Sequence, residues 1–390
     1  MTRRFTGAAR YRSPWVDDEV LALTEMAREF IETEALPHRE RWIEQHHVDR
    51  EFWRKAGEVG LLCAGIPEQY GGGGGTLAHD LAIFGVPLAL TETGFGLGNA
   101  VHSGLVAHYL LAYGSEEQKL RWLPKMASGE FIGAIAMTEP GGGSDLKALR
   151  TTAIRDGEHY VVNGAKTFIS NGMLADLVIV VARTDPAAGT KGISLLVLET
   201  AAAEGFRVGR VLDKIGLKSQ DTAELFFDDV RVPVTNLLGE AGAGFGYAMN
   251  QLVHERLIIS EGAITTAEAA LAETVRYTKD RRAFGAPLFE MQNTRFELAR
   301  CATLVRTTRV FVDDCILRHL RGELDSATAS MAKAHATEVQ CEVIDRCVQL
   351  FGGYGYMLEY PIARMYADAR VQKVYAGANE VMNELIARSL

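Results

Sequence analysis

Two stretches decide how this chain is read: Ala136-Met137-Thr138-Glu139-Pro140-Gly141-Gly142-Gly143-Ser144-Asp145, and Asn163-Gly164-Ala165-Lys166-Thr167-Phe168-Ile169-Ser170-Asn171-Gly172. Both lie in the one region with a β signature, from Phe131 to about Gly239. There, short apolar runs such as Ala175–Ala182 and Ile193–Leu198 alternate with the turn pairs Asp156-Gly157, Asn163-Gly164, Asn171-Gly172 and Asp185-Pro186. Turn signals at a spacing of roughly ten residues predict a compact β-barrel or sandwich.

On either side the pattern is helical. Upstream, Asp17 or Asp18 can cap a helix running through Leu21, Met26, Phe30 and Ile31, with Pro37 as its stop. Further helices are expected around Phe52–Gly60, from Leu77 to about Leu111, and around Glu116–Ala127. The run Gly71–Gly75 reads as a flexible turn. No strand leads into it and no Gly-Lys-Ser/Thr follows, so it is not a phosphate loop. From Gly242 onward the 3.6 period returns, with bundle-length segments near 244–280, 288–321 and 326–350 and with Pro287 and Pro361 at apparent boundaries. The order is therefore α, β, α, an α+β chain with expected domains 1–130, 131–240 and 241–390. A βαβ alternation is absent, and Gly242-Ala243-Gly244-Phe245-Gly246 is not the dinucleotide fingerprint, which counts against a Rossmann fold.

Composition narrows the function classes. The 390 residues are 47% hydrophobic and 23% charged, ordinary for a globular protein with a large core, and a net charge of −9 disfavours nucleic-acid partners. No apolar run reaches the roughly 18–20 residues that span a bilayer. Cys63, Cys301, Cys315, Cys341 and Cys347 form no C-x-x-C pair, which suits reduced thiols in a cytoplasm. Met1–Trp15 carries Arg3, Arg4, Arg10 and Arg12 with no acid before Asp17. It reads as a frayed surface tail, with a mitochondrial transit peptide as the alternative. No metal constellation stands out, His46-His47 reads as surface, and no G-x-S-x-G elbow is present.

The chemistry therefore points to the two β-region stretches. In the first, three glycines stand beside Thr138 and Ser144, so bare backbone can approach a flat ring or a pyrophosphate while hydroxyls bond to it. In the second, Phe168 precedes Ser170 by two residues, which on a regular strand puts both on one face as an aromatic wall and a hydroxyl. Such a face suits the ring edge of a planar cofactor. A β-turn and a hairpin with routine turn residues is the other reading of the same spacing.

Taken together, the two stretches resemble the signature of the acyl-CoA dehydrogenases, A-M-T-E-P-x-A-G-S-D followed by N-G-x-K-x-W-I-T/S-N-G. Further segments match in order. They are Phe227-Asp228-Asp229-Val230-Arg231-Val232-Pro233; Arg281-Arg282-Ala283-Phe284-Gly285 with Pro287, Leu288 and Gln292; and Gln349-Leu350-Phe351-Gly352-Gly353-Tyr354-Gly355-Tyr356 with Glu359, Pro361 and Arg364. The resemblance covers the chain from about Trp15 to Leu390. It implies an N-terminal helical domain, a middle β-domain and a C-terminal four-helix bundle. It also implies FAD bound between the β-domain and the bundle, and a homotetramer built as a dimer of dimers. By position it places Met137, Thr138, Ser144, Phe168 and Ser170 at the FAD of their own subunit. Arg281, Phe284, Gln292, Gln349 and Gly353 would reach the FAD of a neighbour; Gly352, Ala378 and Glu380 are cofactor residues as well. Ser144, Arg256, Tyr375, Ala376 and Gly377 are placed at the substrate. An arginine suits a pyrophosphate through its permanent charge and forked donors.

The family's reaction needs a base for the proton next to the thioester, hydrogen bonds to the thioester oxygen and a hydride acceptor. Many members carry the base as glutamate in a Y-E-G-T segment. This chain reads Tyr375-Ala376-Gly377-Ala378-Asn379-Glu380, so neither the glutamate nor the threonine is present. Glu255, in Leu252-Val253-His254-Glu255-Arg256-Leu257, is the candidate replacement. On a helical wheel it shares its face with Gly244, Ala248, Leu252, Ile258, Ile259 and Gly262, a small apolar face that predicts burial and a raised pKa. Long-chain and isovaleryl-CoA dehydrogenases resemble this arrangement, with a base in an E-R-L context. The long-chain type also shares Phe at 168 and the run Asn379–Arg388. Ala376 would then leave space for the carboxylate and offer its N–H to the thioester. Arg256 would contact CoA or form a structural ion pair. The implied activity is conversion of an acyl-CoA to a trans-2-enoyl-CoA, with electrons passing to an electron-transfer flavoprotein. An oxygen-using flavoenzyme and a silent scaffold are the alternatives. The acyl group stays open between long straight, branched, isoprenoid-like and sterol side chains.

Overall fold

The structure, a computed structural model, describes residues 11–91 and 93–390. Helices come first: α1 (Asp18–Phe30), α2 (Arg39–Gln45), α3 (Arg50–Glu58), α4 (Leu77–Ala89), α5 (Thr93–Asn99), α6 (Ala107–Tyr113) and α7 (Glu116–Ala127). Asp17 caps α1 through Oδ1, which accepts the Val20 N–H at 2.8 Å, and Ser115 with Gln118 forms a capping box on α7. A π-helical stretch, Ala100–Val106, joins α5 to α6. Strands follow: β1 (Gly133–Ala136), β2 (Thr152–Asp156), β3 (His159–Ser170), β4 (Leu177–Arg183), β5 (Ile193–Glu199), β6 (Phe206–Val211), β7 (Thr222–Pro233) and β8 (Leu237–Leu238). The chain ends in α8 (Gly244–Asp280), the short strands β9 (Arg282–Ala283) and β10 (Ala286–Pro287), and then α9 (Gln292–Leu320), α10 (Ser326–Phe351), α11 (Pro361–Ala369) and α12 (Asn379–Ala387). The α, β, α order is as the periodicities require.

The described residues divide into two compact units, and the division cuts α1 between Arg28 and Glu29, α4 between Phe84 and Gly85, and α8 between Glu255 and Arg256. The first unit holds Glu29–Phe84 and the chain from Thr93 to Glu255. Its strands form one sheet in the order β6-β7-β3-β2-β4-β5-β8, with β1 parallel to β4. The two wings of the sheet are joined by a single parallel pair, Thr152 with Arg183. Tyr160, Val162, Leu225, Phe227, Val230 and Val232 from one wing cluster with Val178, Val180, Leu196 and Leu198 from the other, which is the packing of a sandwich. The alternate residues Leu177, Ile179 and Val181 of β4 and Leu195 and Val197 of β5 pack instead on Tyr109, Leu110, Trp122, Leu123 and Met126 of the helices. Both faces of β4 and β5 are thus buried, which explains their unbroken apolar runs.

The glycine run is not the flexible turn expected from its composition. Gly73, Gly74 and Gly75 donate their N–H groups to Cys63, Ile66 and Ala64 carbonyls at 3.2, 2.8 and 2.9 Å. A Cβ on Gly72 would lie 2.2 Å from the Ile66 carbonyl oxygen, so glycine is required there by close backbone packing.

The second unit holds the residues up to Arg28, Gly85–Thr91 and Arg256–Leu390. It contains three long helical pieces, from α8, α9 and α10, with α11 and α12 as short additions. Within it, the buried Arg309 guanidinium bonds Glu261, Glu268 (2.9 Å) and Thr265 (3.0 Å) and lies 3.5 Å from Asp313. Asp313 also accepts hydrogen bonds from Tyr11 and Trp15, both at 2.7 Å. Tyr11–Trp15 is therefore pinned to α9 rather than frayed; the rest of the expected tail, Met1–Arg10, lies outside the described residues.

Candidate active site

In the first unit, the two signature stretches are riveted together by an ion pair that their motif reading left without a role. Lys166, fully buried, donates to Glu139 Oε1 at 2.9 Å, the Met137 carbonyl at 3.1 Å and the Val181 carbonyl at 2.7 Å. Glu139 in turn accepts the backbone N–H groups of Arg150 at 2.7 Å and Thr151 at 2.9 Å. Burial pushes the Lys166 ammonium down to about 8 against the pull of the Glu139 charge. Burial also works against the Glu139 carboxylate, but the Thr151 and Arg150 donors and the Lys166 charge outweigh it and hold the group below its usual range. The Thr167 N–H closes the junction on the Thr138 carbonyl at 2.9 Å.

This frame presents the expected cofactor residues. Met137, Thr138 and Ser170 are half-buried, and Ser144 is exposed. A Cβ on Gly141 would have no neighbour within 4 Å, and on Gly142 and Gly143 nothing closer than 3.8 and 3.7 Å. The chain itself thus gives no steric reason for three glycines, whereas a ring or pyrophosphate lying against bare backbone does. Phe168 is 66% exposed. The simple two-residue alternation assumed for Phe168 and Ser170 does not apply, because the β3–β7 register shifts between Lys166 and Ile169 and Phe168 has φ 59°.

Glu255 sits in the same unit and is buried, as are Gly244 and Ala248 on its face of α8. The hydroxyl of Tyr109, itself buried, donates to Glu255 Oε1 at 3.1 Å. Desolvation and the neighbouring Glu255 charge raise the Tyr109 phenol well above its ordinary value, so it stays a donor. One residue earlier on α8, the His254 ring lies 4.4 Å from that of His108, whose Nε2 is 3.1 Å from Asp80 Oδ2.

In the second unit, Arg256 is buried and donates through Nη1 to Ser326 Oγ at 2.9 Å and its carbonyl at 3.3 Å. The expected substrate segment is held by another buried cation. Lys333 of α10 donates to the Gly377 carbonyl at 2.8 Å and to Asn379 Oδ1 at 2.9 Å. This fixes Ala376 and Gly377 at φ 50° and 90°, backbone that an alanine adopts only under constraint. Burial, then the Arg256 charge, push the Lys333 ammonium down to about 8. Tyr375 is half-buried, Ala378 is the N-cap of α12 with no side-chain cap bond, and Glu380 is exposed in the first turn.

The residues expected at a neighbour's cofactor share one property. Arg281, Phe284, Gln292, Gln349 and Gly353 are all exposed, as is the cofactor candidate Gly352. The Arg281 guanidinium lies 5.3 Å from the Tyr354 ring centre, and Phe284, between β9 and β10, is 98% exposed at φ 53°. Sequence reasoning missed Glu139, Lys166, Tyr109 and Lys333. The first two stood inside the motifs, and the available signal was a lysine at 166 within a strand and an acid at 139 in the loop after one. Among the described residues no group of His, Cys, Asp or Glu could hold a metal ion, and no helix is long and apolar enough to cross a membrane.

Known proteins resemble this chain over nearly its whole length. The family models for the acyl-CoA dehydrogenase N-terminal, middle and C-terminal domains match residues 17–130, 134–230 and 242–390. The long-chain specific acyl-CoA dehydrogenase of Sus scrofa mitochondria is 50% identical over 368 residues, covering 94% of this chain and 85% of the relative. The crystal structure of acyl-CoA dehydrogenase from Geobacillus kaustophilus superposes with a TM-score of 0.94 at 45% identity, covering 97% of this chain and 99% of that one. A glutaryl-CoA dehydrogenase of Mycobacterium smegmatis, solved with FADH2, superposes with a TM-score of 0.88 at 29% identity, covering 96% of this chain and 95% of that one. The exposed glycine backbone and the Phe168 ring fit such a flavin, and the chain belongs to the acyl-CoA dehydrogenase family, as an FAD-dependent oxidoreductase with its likeness to the long-chain type.

Proposed function

We propose that the protein converts an acyl-CoA thioester to the trans-2-enoyl-CoA with Glu255 as the base. The observation that carries this is a buried carboxylate at Glu255 in a chain that has alanine, at 376, where many relatives have their glutamate. Bound FAD supplies the hydride acceptor, at N5, for the β-hydrogen. The protein's own tasks are to remove the α-proton, to polarise the thioester and to exclude water. Glu255 takes the proton from the α-carbon; its burial keeps water from competing for the carboxylate. The Ala376 N–H, on backbone immobilised by Lys333, donates to the thioester oxygen. Tyr375, Gly377 and Ser144 flank the substrate. Arg256, oriented by its bonds to Ser326, contacts the CoA portion in this reading, a structural ion pair being the alternative.

Met137, Thr138, Ser144, Phe168 and Ser170 hold FAD in this reading, with Gly352, Ala378 and Glu380. Arg281, Phe284, Gln292, Gln349 and Gly353 reach the FAD of a neighbour in a homotetramer. The exposure of Phe284, Tyr356 (83%) and Leu358 (68%) supports a further surface covering that region. The family-model spans support three domains, 1–130, 131–240 and 241–390. The long-chain relative supports a long acyl group, and an electron-transfer flavoprotein is the proposed acceptor. The test is anaerobic flavin bleaching by short, branched and long acyl-CoAs in the wild type and in Glu255→Gln. Bleaching by one chain class, abolished in Glu255→Gln with FAD retained, is expected. Bleaching that persists in the variant removes Glu255 from the role of base, and no bleaching by any thioester favours a silent scaffold.

A further inference from the structure

The region around Glu255 contains a device beyond the carboxylate itself. Tyr109 and Tyr113 stand four residues apart on one face of α6. Tyr247 and Glu255 stand eight apart on α8, again on one face. The two faces are joined at both points. The Tyr113 and Tyr247 rings stack at 4.0 Å and 20°, with the Tyr113 hydroxyl on the Tyr247 carbonyl at 3.3 Å. Two turns along, the Tyr109 hydroxyl meets Glu255 Oε1 at 3.1 Å. Tyr109 cannot swing away, since it is fully buried beside Trp122, Leu123 and Met126, and its ring meets that of Tyr113 edge-on at 6.1 Å.

We propose that Tyr109 is the positioning residue of the base: its hydroxyl fixes the orientation of the Glu255 carboxylate and holds it in the ionised, proton-accepting form. This rests on the reading of Glu255 as base. A buried carboxylate tends to keep its proton, and a base that arrives protonated cannot act. A donor that bonds the charged form opposes that tendency. The phenol suits the task because it adds no charge of its own. Among the described residues, the titratable and charged groups shown near Glu255 include Tyr113 behind Tyr109, Tyr247 stacked on Tyr113, His254 and Arg256 beside it on α8, and the His108–Asp80 pair that the His254 ring approaches. None of these is altered by removing the Tyr109 oxygen.

The experiment measures the rate of anaerobic flavin reduction against pH in FAD-loaded wild type, Tyr109→Phe and Glu255→Gln, using the acyl-CoA class that bleaches the wild type. A hydrogen bond to a charged group contributes about 1.5–3 kcal/mol, so its loss moves the acidic limb of the Tyr109→Phe profile up by about 1–2 pH units. The rate recovers toward wild type on the alkaline side, and the thioester dissociation constant stays within about threefold of wild type, a factor worth well under 1 kcal/mol. A merely structural tyrosine would lower the rate evenly across pH. An unmoved limb in Tyr109→Phe, with bleaching lost in Glu255→Gln, overturns the role of Tyr109 alone. Bleaching that survives in Glu255→Gln overturns the base reading and this one with it. If Tyr109→Phe fails to load FAD, fluorotyrosine at position 109 serves instead: its stronger donor hydroxyl moves the limb down, and an unmoved limb again overturns the proposal.

Discussion

Replacing Lys166 by methionine tests whether the two signature stretches are held by the buried ion pair. Methionine keeps most of the apolar stem and deletes the ammonium. Three acceptors lose their donor: Glu139 Oε1, the Met137 carbonyl and the Val181 carbonyl. Glu139 keeps the N–H groups of Arg150 and Thr151 but loses its counter-charge in a buried setting. Breaking a buried pair from one side costs about 3–5 kcal/mol, because the remaining charge is left uncompensated. The two retained N–H donors favour the lower part of that range. In Glu139→Gln/Lys166→Met no charge is left stranded, so the double variant is expected to be more stable than Lys166→Met alone, with a coupling of about 2 kcal/mol. Urea unfolding of the holoenzyme, followed by tryptophan fluorescence and far-UV circular dichroism, measures both quantities. Flavin fluorescence in the filtrate reads FAD release. Because Lys166 fixes the Met137 backbone, Lys166→Met is also expected to lose FAD at lower urea than the wild type. A Lys166→Met protein within about 1 kcal/mol of wild type, or strictly additive single and double variants, would show that the pair is not what holds these stretches.

Acid should weaken the first unit through His102. Burial pushes this imidazole down to about 4; its Nε2 lies 3.0 Å from the Met126 carbonyl, and its Nδ1 accepts the Gly133 N–H at 3.0 Å, so the ring is neutral when folded. The unfolded chain binds the extra proton from about pH 6.5 downward. The contribution is thus fully present above about pH 6.5 and is lost as the pH falls toward 4, by about 3 kcal/mol in all. Urea midpoints between pH 4 and 7 should show a steeper fall for wild type than for His102→Gln; equal slopes would rule this out. Ala378→Ser supplies the side-chain cap that α12 lacks. About 1 kcal/mol of added stability is expected from thermal unfolding, and no gain would mean that the α12 N-terminus is satisfied in some other way.

The layout of elements was legible because burial follows period. The alternation of Leu177, Ile179 and Val181 with Val178 and Val180 appears in the sequence only as an apolar run, but a run of that length between turn pairs is what a strand buried on both faces requires. The glycine run was misjudged for a reason the sequence hides. Composition reports how many conformations glycine can adopt, whereas the Ile66 carbonyl 2.2 Å from a Cβ on Gly72 is a packing constraint from another part of the turn. The same limit applied at Phe168, where a register shift replaced the regular strand on which the same-face argument stood. Trp15 looked like part of a tail because Asp313 is 298 residues away. Tyr109 was invisible for the same reason, its partner Glu255 lying 146 residues on. Hydrogen bonds across such separations leave no local pattern.

The residues matching the family pattern sort themselves by where their physical reason lies. Glu139 and Lys166 are buried and fully bonded within the chain, so folding alone accounts for them. Phe284 is the opposite case. An aromatic ring that is 98% exposed stabilises nothing by burial, and its φ of 53° is a conformation that costs a non-glycine residue roughly 1–2 kcal/mol. Gly353 has no neighbour for a Cβ, and Arg281, Gln292 and Gln349 are likewise exposed, Arg281 touching only the exposed Tyr354 ring among the ring contacts described. A stretch that holds an unfavourable backbone to display an unburied ring gains nothing from burial within its own unit. Contacts within one chain therefore account for Glu139 and Lys166 but not for Phe168 or for Arg281–Gln292, and this exposure, independent of resemblance, is what supports the proposal that these residues face a cofactor.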